Sequence, residues 1–209
     1  MSSPGSSFRI VVLASGGGTN LQAIIDELHG KDGIDIVGVG SDKHDAFALE
    51  RAEAAGIETG VFTRERHGDR LTRDLVLADW IDSTSADLVV LAGYMQLLSP
   101  EFVQRFPGRI VNVHPALLPS FPGLDAIGQA LDHGVRVTGV TVHYVDEGTD
   151  TGPVILQRAV EIPANWERDE VEKAIHAVEH EIYPEAIGMI ARGEVRIAAD
   201  NPRKVIVDQ

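Results

Sequence analysis

Phe8-Arg-Ile-Val-Val-Leu-Ala14 runs through Ser15-Gly-Gly-Gly18 and Thr19-Asn20 into Leu21-Gln-Ala-Ile-Ile-Asp-Glu-Leu28. The first piece is short, β-branched and apolar on both faces, which suits a strand buried in a parallel sheet. The last piece is apolar at 21, 24, 25 and 28, the one-sided spacing of an amphipathic helix. Between them, glycines permit positive φ and let a ligand approach the backbone, and a helix start offers N–H groups to an anion. Strand, glycine turn and helix in that order open an α/β fold with a candidate phosphate loop. The dinucleotide fingerprint G-x-G-x-x-G fails, because Leu21 stands where its last glycine belongs, and no G-x-x-x-x-G-K-[S/T] occurs. The competing reading is a tight turn with Thr19 or Asn20 capping the helix.

The alternation continues outward from this unit. Strands are predicted over Ile34 to Ser41, near Ile57 to Phe62, over Asp87 to Ala92 and over Gly108 to His114. Helices are predicted over about Ala46 to Ala55, Arg70 to Ser83 and Pro100 to Phe106. This spacing implies a Rossmann-like, mostly parallel sheet flanked by helices. After residue 114 the texture changes, because Pro115, Pro119, Pro122 and Gly123 force a loop. Leu124 to His133 reads as a helix, and Val135 to Asp146 and Pro153 to Ile162 as late, antiparallel strands around the loop Glu147 to Gly152. Val171 to Ala191 carries a long helical periodicity that Pro184 interrupts, and Val195 to Ala198 and Val205 to Val207 close the chain as short β segments. Residues 1–7 read as a flexible tail and 8–209 as one domain.

Composition narrows the function. Lys and Arg number 18 against 32 Asp and Glu, a formal charge of −14, so the bulk surface repels nucleic acid and anionic lipid. With no cysteine, disulfides, Cys-ligated zinc, iron–sulfur clusters and thiol nucleophiles are all excluded. No export signal or membrane-length apolar run is visible, and a cytoplasmic chain is expected.

Three further stretches bear chemistry. In Asn112-Val-His-Pro-Ala-Leu-Leu-Pro119, residues 112 and 114 lie two apart on a predicted strand and share a face. Together they supply a neutral N–H donor and a proton carrier at the carboxyl end of a parallel strand, where open α/β sheets bind ligands. In the competing reading Asn112 satisfies loop backbone and His114 caps the strand. Asp146-Glu-Gly-Thr-Asp-Thr-Gly-Pro153 lacks the spacing of a calcium loop and reads as a turn; if Asp150 folds against His114, its charge fixes the ring and favours the imidazolium. His176-Ala-Val-Glu-His180 sets two imidazoles at i and i+4, a zinc-compatible spacing, but Ala177 stands where the zincin motif has Glu. No metal is expected.

Ser15-Gly-Gly-Gly-Thr-Asn-Leu-Gln22, Leu91-Ala-Gly-Tyr-Met-Gln-Leu-Leu-Ser-Pro100, Asn112-Val-His-Pro-Ala-Leu-Leu-Pro119 and Asp150-Thr-Gly-Pro-Val-Ile-Leu-Gln157 together resemble the phosphoribosylglycinamide formyltransferases, in order, from about residue 8 to residue 192. The resemblance implies formyl transfer from 10-formyltetrahydrofolate, as co-substrate, to the amine of glycinamide ribonucleotide in purine synthesis, without a metal. It implies a catalytic trio of Asn112, His114 and Asp150. Gly17, Gly18, Thr19 and Asn20 match the loop that binds the ribonucleotide phosphate, and Glu179 a residue near its ribose. Arg70 matches a residue near the folate's acidic tail, while Met95, Gln96, Leu97 and Leu98, with Val145 and Asn112, match the folate pocket. Gln96, where Arg is frequent, and Ile127, where His is frequent, depart from the pattern. Two other readings stay open, together with a homodimer. One is a 10-formyltetrahydrofolate hydrolase, although its usual extra amino-terminal domain is not expected before a strand that begins at residue 8. The other is a non-catalytic nucleotide-binding module, with Asp42 as a ribose contact.

Overall fold

Ile10 to Ala14 are wholly buried, as a strand apolar on both faces demands. In the computed structural model, which describes residues 7–208, Ile10 to Leu13 belong to β1 (Phe8–Leu13) and Ala14 directly follows it. There follow α1 (Thr19–Leu28), β2 (Ile34–Ser41), α2 (Phe47–Ala54), β3 (Thr59–Val61), α3 (Arg64–His67), α4 (Arg70–Ser83), β4 (Leu88–Leu91), α5 (Pro100–Arg105) and β5 (Ile110–His114). Then come α6 (Ala126–Asp132), β6 (Val137–Tyr144), β7 (Val154–Glu161), α7 (Arg168–Ala191), β8 (Val195–Ala198) and β9 (Asn201–Val207). Of the expected tail, residues 1–6 lie outside the described residues.

The chain divides into two units that join between Val111 and Asn112, within β5. In the first unit the strand order is β3-β2-β1-β4, and β1 pairs parallel with both of its neighbours, Phe8 opposite Ile34 and Ile10 opposite Leu88. α4 is seated on this sheet by Trp80, which passes so close to β2 that a Cβ at Gly38 would lie 2.8 Å from the indole. In the second unit the order is β5-β6-β7, with β6 and β7 antiparallel and Val137 opposite Glu161. The core of this unit gathers Val140, Val142 and Ile155 from the strands and Val171, Ile175, Ile182, Tyr183 and Ile187 from α7, all buried. β8 and β9 form a separate antiparallel pair. The architecture is α/β, mostly parallel, with a late antiparallel pair.

Where the elements differ from expectation, polar residues are the reason. α7 begins at Arg168 rather than Val171, because its first turn is charged and invisible to an apolar periodicity. Glu170 marks that start by accepting from the Glu167 backbone N–H at 2.8 Å. The helix then continues through buried Pro184. β9 begins at Asn201 because pairing with β8 recruits the polar residues ahead of Val205. β3 is trimmed to Thr59–Val61, and the unexpected single turn α3 is started by Thr63, whose hydroxyl accepts from the Arg66 N–H at 3.2 Å.

Neither Thr19 nor Asn20 caps α1. Its N-cap is Gly18 in the left-handed region, φ +68°, with no side-chain cap. A Cβ on Gly18 would also meet Ala48 at 2.8 Å. Gly18→Ala therefore carries both a left-handed penalty of about 1–2 kcal/mol and a steric clash. At roughly 2–4 °C per kcal/mol for a chain of this size, thermal unfolding should show Tm lowered by at least about 3 °C.

Candidate active site

β5 brings Asn112 and His114 to one face, as the two-residue spacing requires, and the β6–β7 connection delivers Asp150. That connection is folded by its own polar groups: Asp146 Oδ1 accepts from the Gly148 N–H at 3.0 Å and from the Thr151 hydroxyl at 2.6 Å. Gly152 passes so near β6 that a Cβ there would lie 1.8 Å from the Tyr144 carbonyl oxygen. The turn reading of this stretch is the observed one, and it places Asp150, at φ +54°, against two imidazoles. Its Oδ2 lies 3.4 Å from His114 Nδ1 and its Oδ1 lies 3.6 Å from His143 Nε2. Asn112 Nδ2 lies 3.3 Å from the same His143 nitrogen.

The backbone sets the proton positions. His114 Nε2 donates to the Phe121 carbonyl at 2.8 Å, and His143 Nδ1 donates to the Tyr144 carbonyl at 2.9 Å, because a carbonyl oxygen only accepts. His114 therefore faces Asp150 with Nδ1. Phe121 offers its carbonyl from a left-handed conformation, φ +52°, a placement that costs a bulky residue about 1–3 kcal/mol. From the same loop Gly123 donates its N–H to Asp150 Oδ2 at 2.8 Å. Buried Thr141 of β6 anchors the loop's start, giving its hydroxyl proton to the Ala116 carbonyl at 2.6 Å and accepting from the Leu118 N–H at 3.1 Å. Burial by itself would raise the Asp150 carboxyl; the His143 ring, the Gly123 N–H and the His114 charge outweigh it and hold the group below the ordinary aspartate value.

His143 is the site residue that sequence reasoning missed. Val140 and Val142 alternate with Thr141 and His143, which reads as an apolar face and a wet one. Both polar residues are in fact buried, Thr141 completely, and a buried polar pair on one strand face is the signal that partners await there.

In the first unit, Ser15 is buried and its hydroxyl accepts from the Met95 N–H at 2.8 Å, so the glycine loop and the segment after β4 are joined. A Cβ on Gly16 or Gly17 would meet no protein atom within 4 Å, so packing does not account for glycine at either position, and the bare backbone leaves room for an anion. Arg51 steadies the loop by donating from Nε to the Gly17 carbonyl at 2.8 Å. Met95 and Leu97 are each 66 % exposed. Gln96 does not point outward like them: it accepts from Arg73 Nη1 at 2.9 Å and donates to Asp42 at 2.8 Å. Arg70 donates to the Leu98 carbonyl. Ile127 is a buried packing residue of α6. In the second unit Val145 is half-buried and Glu179 is buried on α7. His176 and His180 stack with ring centroids 6.5 Å apart; among the described residues no group of three or more His, Cys, Asp or Glu is placed to hold a metal.

An Asn–His pair braced by a carboxylate, under a fold of this order, is equipped to stabilise an oxyanion and move a proton, which is the chemistry of acyl-type group transfer. Residues 8–187 match the model of the formyl transferase family, and the chain belongs to that family. It is 43 % identical over 190 residues to the phosphoribosylglycinamide formyltransferase of Haemophilus influenzae, covering 90 % of each chain. It is 44 % identical over 189 residues to that of Escherichia coli, covering 90 % of this chain and 89 % of the relative. The crystal structure of glycinamide ribonucleotide transformylase 1 from Symbiobacterium toebii superposes with a TM-score of 0.93 at 43 % identity, over 100 % of this chain and 98 % of the other.

A carboxyl depressed in the folded protein contributes stability above its unfolded pKa, and that stability is lost as pH falls through the folded value. For His143→Ala the burial effect on Asp150 loses its largest opponent. A carbon-13 NMR titration should find the Asp150 carboxyl below the ordinary aspartate value in the wild type and moved upward in the variant. Acid unfolding of the variant should begin at correspondingly higher pH.

Proposed function

We propose that this protein transfers the formyl group of 10-formyltetrahydrofolate to the amine of 5'-phosphoribosylglycinamide, giving formylglycinamide ribonucleotide and tetrahydrofolate, as a cytoplasmic enzyme of purine biosynthesis. The observation that carries the reading is the Asn112–His143–Asp150–His114 cluster, in which the backbone fixes the protons of both rings. The relatives' activity supports it, and a family match running across both units supports treating residues 8–209 as one formyltransferase domain. No helix among the described residues is long and apolar enough to cross a membrane.

In this reading the substrate amine attacks the formyl carbon, and the carbonyl electron pair moves onto oxygen. Asn112 Nδ2–H and the His114 imidazolium stabilise that oxygen; a donor so placed is worth about 3 kcal/mol. On collapse the bond from carbon to N10 breaks, N10 takes up a proton and the former amine gives one up. Asp150 orients His114 and relays the proton through His114 Nδ1, because the Phe121 carbonyl holds Nε2. The first-turn N–H groups of α1, with Gly17, Gly18, Thr19 and Asn20, hold the ribonucleotide phosphate, and Glu179 its ribose. Met95, Gln96, Leu97 and Leu98 serve the folate together with Arg70, Val145 and Asn112. The two exposed apolar side chains of that segment, Met95 and Leu97, suit a flat heteroaromatic ring.

Folate absorbance, followed with and without glycinamide ribonucleotide, tests the assignment. Turnover should require the ribonucleotide; turnover without it would indicate a hydrolase, and binding without turnover a non-catalytic module. His114→Ala and Asp150→Asn should each lower kcat at least about 10²-fold while ribonucleotide binding persists. Because the chain carries −14 and both substrates are anions, bulk steering is absent or repulsive. kcat/KM should therefore fall only weakly as salt is raised, and a steep decline would reveal a basic funnel.

A further inference from the structure

We infer that Arg73, a buried cation outside the reacting cluster, is a positioning residue that presets the segment Met95–Ser99 and thereby sets the affinity for the folate ring. The inference rests on the assignment of Met95–Leu98 to the folate, proposed above. Arg73 is 0 % exposed and so is its neighbour Asp74. A buried ion pair adds little stability that an apolar pair of the same volume would not, so its retention on α4 calls for another explanation. Its hydrogen bonds provide one. Arg73 Nε and Nη2 donate to Asp74 Oδ1 at 2.9 and 2.6 Å, and Arg73 Nη1 donates to Gln96 Oε1 at 2.9 Å. Asp74 turns its other oxygen to the same segment and accepts the Ser99 N–H at 2.6 Å. Gln96, oriented by Arg73, then donates to Asp42 Oδ2 at 2.8 Å.

The segment is thus fastened at nearly every residue: Met95 through Ser15, Gln96 through Arg73 and Asp42, Leu98 through Arg70, and Ser99 through Asp74. Arg73 Nη2 also lies 3.5 Å from the Leu97 carbonyl. What remains outward is Met95 and Leu97, two residues apart and each 66 % exposed. Few protein contacts hold side chains that exposed, so their placement for an aromatic ring depends on the backbone beneath. A planar fork is required to reach Asp74 and Gln96 together, a geometry that a lysine ammonium does not reproduce.

Arg73→Met and Arg73→Lys test this, with steady-state kinetics for both substrates, calorimetry with tetrahydrofolate as the probe, and thermal unfolding. The expected result is a KM for 10-formyltetrahydrofolate and a Kd for tetrahydrofolate raised about tenfold in Arg73→Met, with kcat and the ribonucleotide KM within about twofold of wild type. Arg73→Lys should recover only part of the loss. Should Arg73→Met not fold, Arg73→Lys, which keeps the buried charge but not the fork, carries the test with an expected rise of about threefold. Unchanged folate constants in folded variants, or equal losses for both substrates, would overturn the inference. A wild-type protein without formyl transfer would overturn the proposed function instead, and the tetrahydrofolate Kd would still decide the role of Arg73.

Discussion

One carboxylate organises the second unit. Asp150 is desolvated enough that burial alone would neutralise part of its charge, yet two imidazoles and a backbone N–H keep it ionised. Its left-handed backbone, the tight pass of Gly152 under Tyr144 and the Asp146 turn serve to hold that oxygen pair in place. Because Asp150 has two oxygens and two imidazoles to serve, it divides the labour: Oδ2 faces His114 Nδ1, while Oδ1 faces the His143 nitrogen beside Asn112. Asp150 thus meets His114 directly and Asn112 only by way of His143, so one carboxylate braces both ends of the cluster.

Much of the fold was legible because its signals are periodic. β1 and α1 were read from apolar spacing and the turn between them from its glycines, and the Asn112–His114 face followed from the two-residue repeat of a strand. The failures share one physical cause, which is that apolar patterning does not register polar groups that join the structure by pairing, whether they end up buried or exposed. His143 lies on the face that alternation assigns to water. Arg73 lies on a helix that was predicted, but nothing in its sequence drew attention to a charge inside. The first turn of α7 and the start of β9 were lost for the same reason.

A second group of features has no residue-type signature at all. The carbonyls of Phe121 and Tyr144 and the N–H of Gly123 fix the protons of the site, but any residue carries such groups. The prolines after His114 indicated an irregular loop; they did not indicate which of its carbonyls would return to the ring. The resemblance supplied the trio as an expectation by matching motifs, whereas the geometry places His143 in contact with two of its members and shows which ring nitrogens face carbonyls.

The acidic composition sharpens the problem of capturing anions, and the two units answer it in one manner. A chain of −14 cannot place many mobile cations near a substrate without neutralising them against its own carboxylates. Arg73 is already committed to Asp74, Arg70 to a carbonyl and Arg51 to the glycine loop. These three arginines therefore fasten loops and segments of the first unit. In the proposed reading the phosphate is met by neutral N–H groups held by the backbone, at the turn before α1, while Arg70 stands near the folate's acidic tail. Preorganised dipoles of this kind need no reorientation when a charge arrives, and they are indifferent to the sign of the surrounding surface, which reconciles an acidic protein with anionic substrates.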